Sequence, residues 1–130
     1  MLIDVHSHLN GYDLLNQGAL EAVLAEIESH HIFTISNSMD LPSYRRNLEI
    51  ARMCSLVLPI FGIHPWYAPD YAGRLSELQD AVDQSPMIGE IGLDHHFVQD
   101  QSAHEAQEKV FEYFLQTAVD QDKIVILHTK

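Results

Sequence analysis

Apolar positions along the chain follow two alternating spacings. Short, nearly continuous runs at residues 2–5, 32–36, 56–63, 87–91 and 124–127 are rich in Ile, Leu and Val. Such runs read as strands covered on both faces. Between them the spacing becomes helical. Residues 17–30 place Leu20, Val23, Leu24 and Ile27 at i, i+3, i+4 and i+7, one face of a helix. Residues 41–54 do so more loosely through Tyr44, Leu48 and Ala51. Residues 74–84 repeat the pattern with Leu75, Leu78 and Val82, and residues 103–120 with Phe111, Phe114, Leu115 and Ala118. Pro59 lies inside the third strand and weakens its middle, because proline cannot donate to a ladder. There is no repeat, low-complexity tract or linker.

Five strands alternating with four helices predict βαβ units and a parallel sheet. A doubly wound sheet and the first part of a (β/α)8 barrel both fit. A whole barrel takes about 250 residues, and the chain has 130.

Composition narrows the function. At 46% apolar and 20% charged residues the chain builds a globular core. No apolar run approaches the roughly 20 residues of a membrane span, and no basic and apolar leader follows Met1. A single cysteine, Cys54, excludes an intramolecular disulfide framework. A cytoplasmic protein with no membrane partner is therefore expected, with Cys54 packed in the second helix. Nineteen Asp+Glu against seven Lys+Arg give a net charge of −12, which excludes a generic basic patch for nucleic acid. A phosphate-handling protein of this composition needs another source of positive charge. Nine histidines offer one, since histidine is the commonest metal ligand.

These residues gather where strands end. His6 and His8 close the first strand, His64 with Pro65 and Trp66 the third, Glu90 and Asp94 the fourth, His128 and Lys130 the fifth. The second strand differs, ending in Ser36, Asn37 and Ser38. In parallel α/β folds the carboxyl ends of the strands build the site. His6 and His8 share a strand face by the period of two, as does Asp4, which is expected to orient a histidine from behind. Glu90 stands between Gly89 and Ile91-Gly92 in an apolar strand with no Lys or Arg close in sequence. A buried glutamate needs a cation or a metal. Pro65 restricts His64 to extended backbone. Trp66 and Tyr67 follow at the expected mouth, where aromatic rings stack on bases. Lys130 shares the direction of His128 and is suited to an anion, while His95 and His96 are possible neighbours. No phosphate loop, dinucleotide fingerprint or serine elbow occurs, which leaves metal-assisted hydrolysis.

Four motifs, Asp4-Val5-His6-Ser7-His8-Leu9, Gly62-Ile63-His64-Pro65, Ile88-Gly89-Glu90-Ile91-Gly92-Leu93-Asp94 and Ile126-Leu127-His128-Thr129-Lys130, resemble in order those of the TatD-like metal-dependent deoxyribonucleases. These are TIM barrels of the amidohydrolase type. The resemblance runs the length of the chain, and it implies that residues 1–130 form the N-terminal portion of one (β/α)8 barrel. It also implies one or two divalent ions (Zn, Mg or Mn) on His6, His8, Glu90 and His128, with Glu90 bridging. Glu90 and His64 become the catalytic residues, with His64 near the substrate phosphate, while position at the strand ends makes Trp66 and Lys130 further contacts to substrate and Asp4 and Asp94 supports behind the ligands. The implied activity is cleavage of phosphodiester bonds by metal-activated water, with DNA or another phosphodiester as a transient partner.

The chain departs from the family pattern at four places. Asn10 replaces an aspartate, Phe114 a glutamine, and His95 and His96 aromatic residues. Lys130 replaces an arginine, turning a bidentate fork into a point charge. The family's further ligands, a histidine after strand 6 and an aspartate after strand 8, lie past the five strands, so this stretch is expected not to complete the site alone. Two other readings stay open. One is hydrolysis of C–N or ester bonds by the same metals. The other is a non-catalytic half-barrel, truncated or dependent on assembly, whose edges at strands 1 and 5 invite pairing.

Overall fold

In a computed structural model describing residues 1–130, five parallel strands lie side by side in chain order. They are β1 (Leu2–Ser7), β2 (Ile32–Asn37), β3 (Val57–Ile60), β4 (Ile88–Leu93) and β5 (Val125–Thr129). β1 pairs with β2, β2 with β3, and β4 with β5, all parallel. A single bridge, Phe61 to Ile88, joins β3 to β4. Two bonds reinforce that seam: the Gly89 N–H donates to the Phe61 carbonyl at 2.9 Å, and the Glu90 N–H donates to the Ser38 carbonyl at 3.0 Å. The second bond ties the residue that follows β2 to β4.

The helices are α1 (Ala19–His30), α2 (Leu41–Ala51), α3 (Ala68–Tyr71), α4 (Gln79–Gln84) and α5 (Gln101–Asp120). The single helix expected over 74–84 is instead a 3-10 turn, Leu75–Leu78, running into α4. The short α3 and the 3-10 turns Leu9–Leu14 and Pro65–Tyr67 are additions to the expected four helices. Asp40 caps α2 by accepting from the Ser43 N–H at 2.8 Å, and Pro42 stands in its first turn. The same helix ends before Cys54, because Arg52 and Met53 turn back onto the carbonyls of Glu49 and Ile50.

Two apolar clusters fix these helices to the sheet. Phe61, Ile88 and Ile91 meet Leu78, Val82, Val110 and Phe114, with Phe61 and Phe114 edge to face at 5.8 Å. Phe114 is fully buried, so its departure from the family's glutamine adds to the core. The second cluster sets Leu20, Leu24 and Ile27 of α1 against Leu9, Ile50, Cys54 and Val57.

The edge strands differ from expectation. Leu2, Ile3 and Val5 of β1 and Leu127 of β5 are exposed, rather than covered on both faces. Each edge strand has a neighbour on one side only. No helix is long and apolar enough to cross a membrane.

Candidate metal centre

Glu90 is the hub of the polar cluster and is 4% exposed. The glycines around it let β4 approach its neighbours closely. A Cβ at Gly89 would stand 2.8 Å from Asn37 Oδ1, and one at Gly92, where φ is +151°, would stand 1.9 Å from the His128 carbonyl oxygen. Side chains from both sheet edges therefore reach one carboxylate. Glu90 Oε2 lies 3.1 Å from His6 Nε2 and 3.0 Å from His8 Nε2, while Oε1 lies 3.0 Å from His128 Nδ1. His64 Nε2 stands 3.2 Å from His128 Nδ1. Two trios, His6–His8–Glu90 and His64–Glu90–His128, each hold their ligand atoms within 4.8 Å of one another.

The outer hydrogen bonds assign the ring protons. His8 Nδ1 lies 3.2 Å from the Asn37 carbonyl, which only accepts, so Nδ1 carries the proton. His64 Nδ1 accepts from the Trp66 N–H at 3.2 Å, which puts the proton of the neutral ring on Nε2. His128 Nε2 donates to Asp94 Oδ2 at 3.0 Å. Glu90 consequently meets lone pairs, from His8 Nε2 on one oxygen and from His128 Nδ1 on the other. Acceptors held at 3.0 Å need a cation or a proton between them. Imidazole nitrogens around a buried carboxylate are a donor set that suits a divalent ion such as zinc. The residues therefore fit the metal that the motifs imply.

Burial pushes the Glu90 carboxyl up, but a hydrogen bond from His8, when that ring carries both protons, and the fields of His6, His64 and His8 outweigh it and hold the pKa at about 2. Burial lowers His64 to about 4, against the opposing pull of Glu90 and Asp94 and with the help of His128 and His8. His64 is thus a neutral imidazole near pH 7. Asp94 is fully buried. That burial raises its pKa, yet hydrogen bonds from Phe97, Trp66, His128 and His96 hold it well below the usual carboxylate range.

The fold thus brings His6, His8, Glu90, His64 and His128 together, with Asp94 behind His128. The Trp66 indole N–H donates to Asp94 Oδ2 at 2.7 Å, its ring stands edge to face with His64, and the residue is 48% exposed. Lys130 is exposed, with its backbone bonded to Leu93 and His95. Asp4 departs from expectation: its carboxylate accepts from the backbone N–H of His6 at 3.1 Å and supports no histidine ring. The register shift between Asp4 and Ser7 breaks the regular alternation on which that expectation rested. His95 stacks on His104 at 3.8 Å, and His96 packs on Phe97, both apart from the cluster.

Sequence reasoning gave no role to the residues that hold the ligands in place. Asn37 supplies the carbonyl for His8, and Asn47 ties the Asn37 carbonyl to the Asn10 N–H. Gln107 brackets the Asp94 peptide by accepting from its N–H at 2.9 Å and donating to its carbonyl at 3.2 Å. The available signals were the polar run Ser36-Asn37-Ser38 closing an otherwise apolar strand and the match of Gln107 to the family pattern before strand 5.

A family model described as TatD related DNase matches residues 3–130, and the chain belongs to that family. The crystal structure of YJJV, a TatD homolog from Escherichia coli K12, matches with a TM-score of 0.79 at 26% identity. The match covers 99% of this chain and 51% of that one, so the chain spans about half the length of its solved relative. The five-stranded unit corresponds to part of a TatD-type TIM barrel. No curated protein matches the chain. Membership of this family supports a metal-dependent hydrolase.

Proposed function

We propose that this chain is the N-terminal part of one TatD-type barrel and carries most of a site that hydrolyses phosphodiester bonds, with DNA as the favoured substrate. The convergence of His6, His8 and His128 on the Glu90 carboxylate carries this reading. His6, His8 and Glu90 would hold one ion, and Glu90 with His128 a second. A divalent ion held there supplies an activated water and positive charge opposite the phosphoryl oxygens. That charge replaces the basic surface which a net charge of −12 denies the chain.

Glu90 stays anionic at working pH. His64 stays neutral and donates from Nε2, which faces His128 Nδ1 at 3.2 Å. Once that lone pair is engaged, the His64 N–H is free for a phosphate oxygen of substrate. Trp66 offers a half-exposed ring on which a base can stack, worth about 1–3 kcal/mol. Lys130 adds a point charge for phosphate. The lone, buried Cys54 accords with the cytoplasm.

The acidic surface favours a second reading, in which a neutral C–N or ester substrate meets the same ions. The full-length barrel, stripped with chelator and reloaded with Zn, Mg or Mn, separates the two. Metal-dependent cleavage of bis(p-nitrophenyl) phosphate and of a single-stranded oligonucleotide is expected. Turnover of a lactone or cyclic amide alone moves the assignment to the second reading. Inactivity towards all of them leaves a non-catalytic assembly unit.

A further inference from the structure

Asp94 lies outside the ligand cluster, and its surroundings are unusual. Its Oδ2 accepts from the Trp66 indole N–H at 2.7 Å and from His128 Nε2 at 3.0 Å. Its Oδ1 accepts from the backbone N–H groups of Phe97 at 2.8 Å and His96 at 3.1 Å. Three of these partners can only donate, which makes both oxygens acceptors and favours the ionised carboxylate, to which His128 Nε2 then donates. Trp66 closes the circuit a second time. Its backbone N–H donates to His64 Nδ1, and His64 Nε2 then donates to His128 Nδ1. The two routes agree on one arrangement of the His128 ring, with its proton on Nε2 and its lone pair on Nδ1.

We propose that Asp94 is a positioning residue which, anchored by Trp66 and acting through Nε2 of His128, commits that ring to present its Nδ1 lone pair to Glu90 and to an ion held there. The second half of this statement rests on the metal reading of the cluster. Asparagine at this position has one acceptor oxygen and one amide that only donates. Backbone N–H groups cannot reverse, and an indole cannot accept. The side chain therefore keeps its oxygen on His96 and Phe97 and turns the amide towards Trp66 and His128. His128 is the one partner able to respond, by moving its proton to Nδ1 and accepting at Nε2. Asp94→Asn thus removes the lone pair from the cluster without removing a ligand.

The test reads the ring directly. The full-length protein is labelled with 15N-histidine, and long-range proton–nitrogen spectra are recorded without metal at about pH 9, above the usual histidine range. A His128 proton on Nε2 alone is expected in the wild type and in Trp66→Phe, which keeps the carboxylate. A proton on Nδ1 is expected in Asp94→Asn. Zinc affinity, measured by competition with a chromogenic chelator, should fall about 10–100-fold in Asp94→Asn. A wild-type spectrum with a proton on His128 Nδ1 overturns the proposal, and it decides the matter even where Asp94→Asn does not fold. An Asp94→Asn protein with the wild-type tautomer and unchanged zinc affinity also overturns it. A wild-type protein that binds no zinc, yet keeps the proton on Nε2, upholds the positioning of His128 and removes the metal reading instead.

Discussion

The two sides of Glu90 are built differently. On one side, His6 and His8 approach from an edge strand, with side chains 41% and 31% exposed. On the other, the His128 side chain is 15% exposed and wedged between two carboxylates, and His64 is buried beside it. The His8 ring is held from behind by a backbone carbonyl, and the His6 ring makes no hydrogen bond beyond Glu90. His128 is held by a buried carboxylate that itself takes four donors. Preorganisation is therefore uneven. The β5 side is fixed before anything binds, whereas the β1 side keeps freedom that a ligand must remove.

The largest expected effect concerns the two sheet edges that carry both sides. Each large apolar side chain left uncovered forgoes roughly 1.5–3 kcal/mol, against a total stability of about 5–15 kcal/mol. Leu2, Ile3, Val5 and Leu127 are all exposed. Residues 1–130 expressed alone should be aggregation-prone, dimeric or molten, and without phosphodiesterase activity. Analytical ultracentrifugation with a nuclease assay checks this, and a well-folded, DNA-cutting monomer would break the comparison at its root.

Glu90→Gln should act on both sides together. Gln is nearly isosteric and removes the charge, so metal content per chain after purification should fall. The fold should stay largely intact while the urea midpoint falls, because the surrounding rings stabilise the ionised carboxylate. Unchanged metal content would give Glu90 a purely structural role.

Acid should act mainly on the buried side. The folded pKa of His64, about 4, lies below its ordinary value of 6.5. The unfolded chain therefore takes up a proton that the folded one refuses. Stability declines as pH falls from about 6.5 towards 4, by no more than about 3 kcal/mol. Glu90, lowered from 4.5 to about 2, adds a second loss below pH 4.5 as its carboxylate is protonated. Urea midpoints between pH 7 and pH 4 should show the decline, and His64→Phe should flatten its upper part.

The smallest effect sharpens the contrast itself. His128→Ala leaves a buried carboxylate short of a donor and should cost about 1–3 kcal/mol more than a neutral change. His6→Ala, on an exposed edge, should cost about 0.5 kcal/mol or less. Equal shifts in the urea midpoints would mean that the two sides are equally held.

Much of this was legible along the chain. Apolar runs located all five strands, and the strand ends brought forward every side chain that touches Glu90. What escaped were features made by several segments at once. The Trp66–Asp94–His128 contact joins three strand ends, and no local spacing encodes it. The placement of Asp4 depended on a register shift that leaves no mark in hydropathy. Leu75–Leu78 tightened into a 3-10 turn where the apolar spacing alone indicated a continuous helix. Phe114 stood in the right helix, while its burial against Phe61 followed from packing that the family pattern did not anticipate.

Strand order also sets a schedule. Each strand lies beside the one made just before it, so a chain leaving the ribosome finds every partner already synthesised. The ligands arrive in the same sequence, His6 and His8 first, then Glu90, and His128 last. Until β5 docks, the Glu90 carboxylate has only the looser pair for company. Completion of the cluster is thus timed by the arrival of a single strand, and a stall before residue 128 leaves a nascent chain with the open half of its site and none of the buried half.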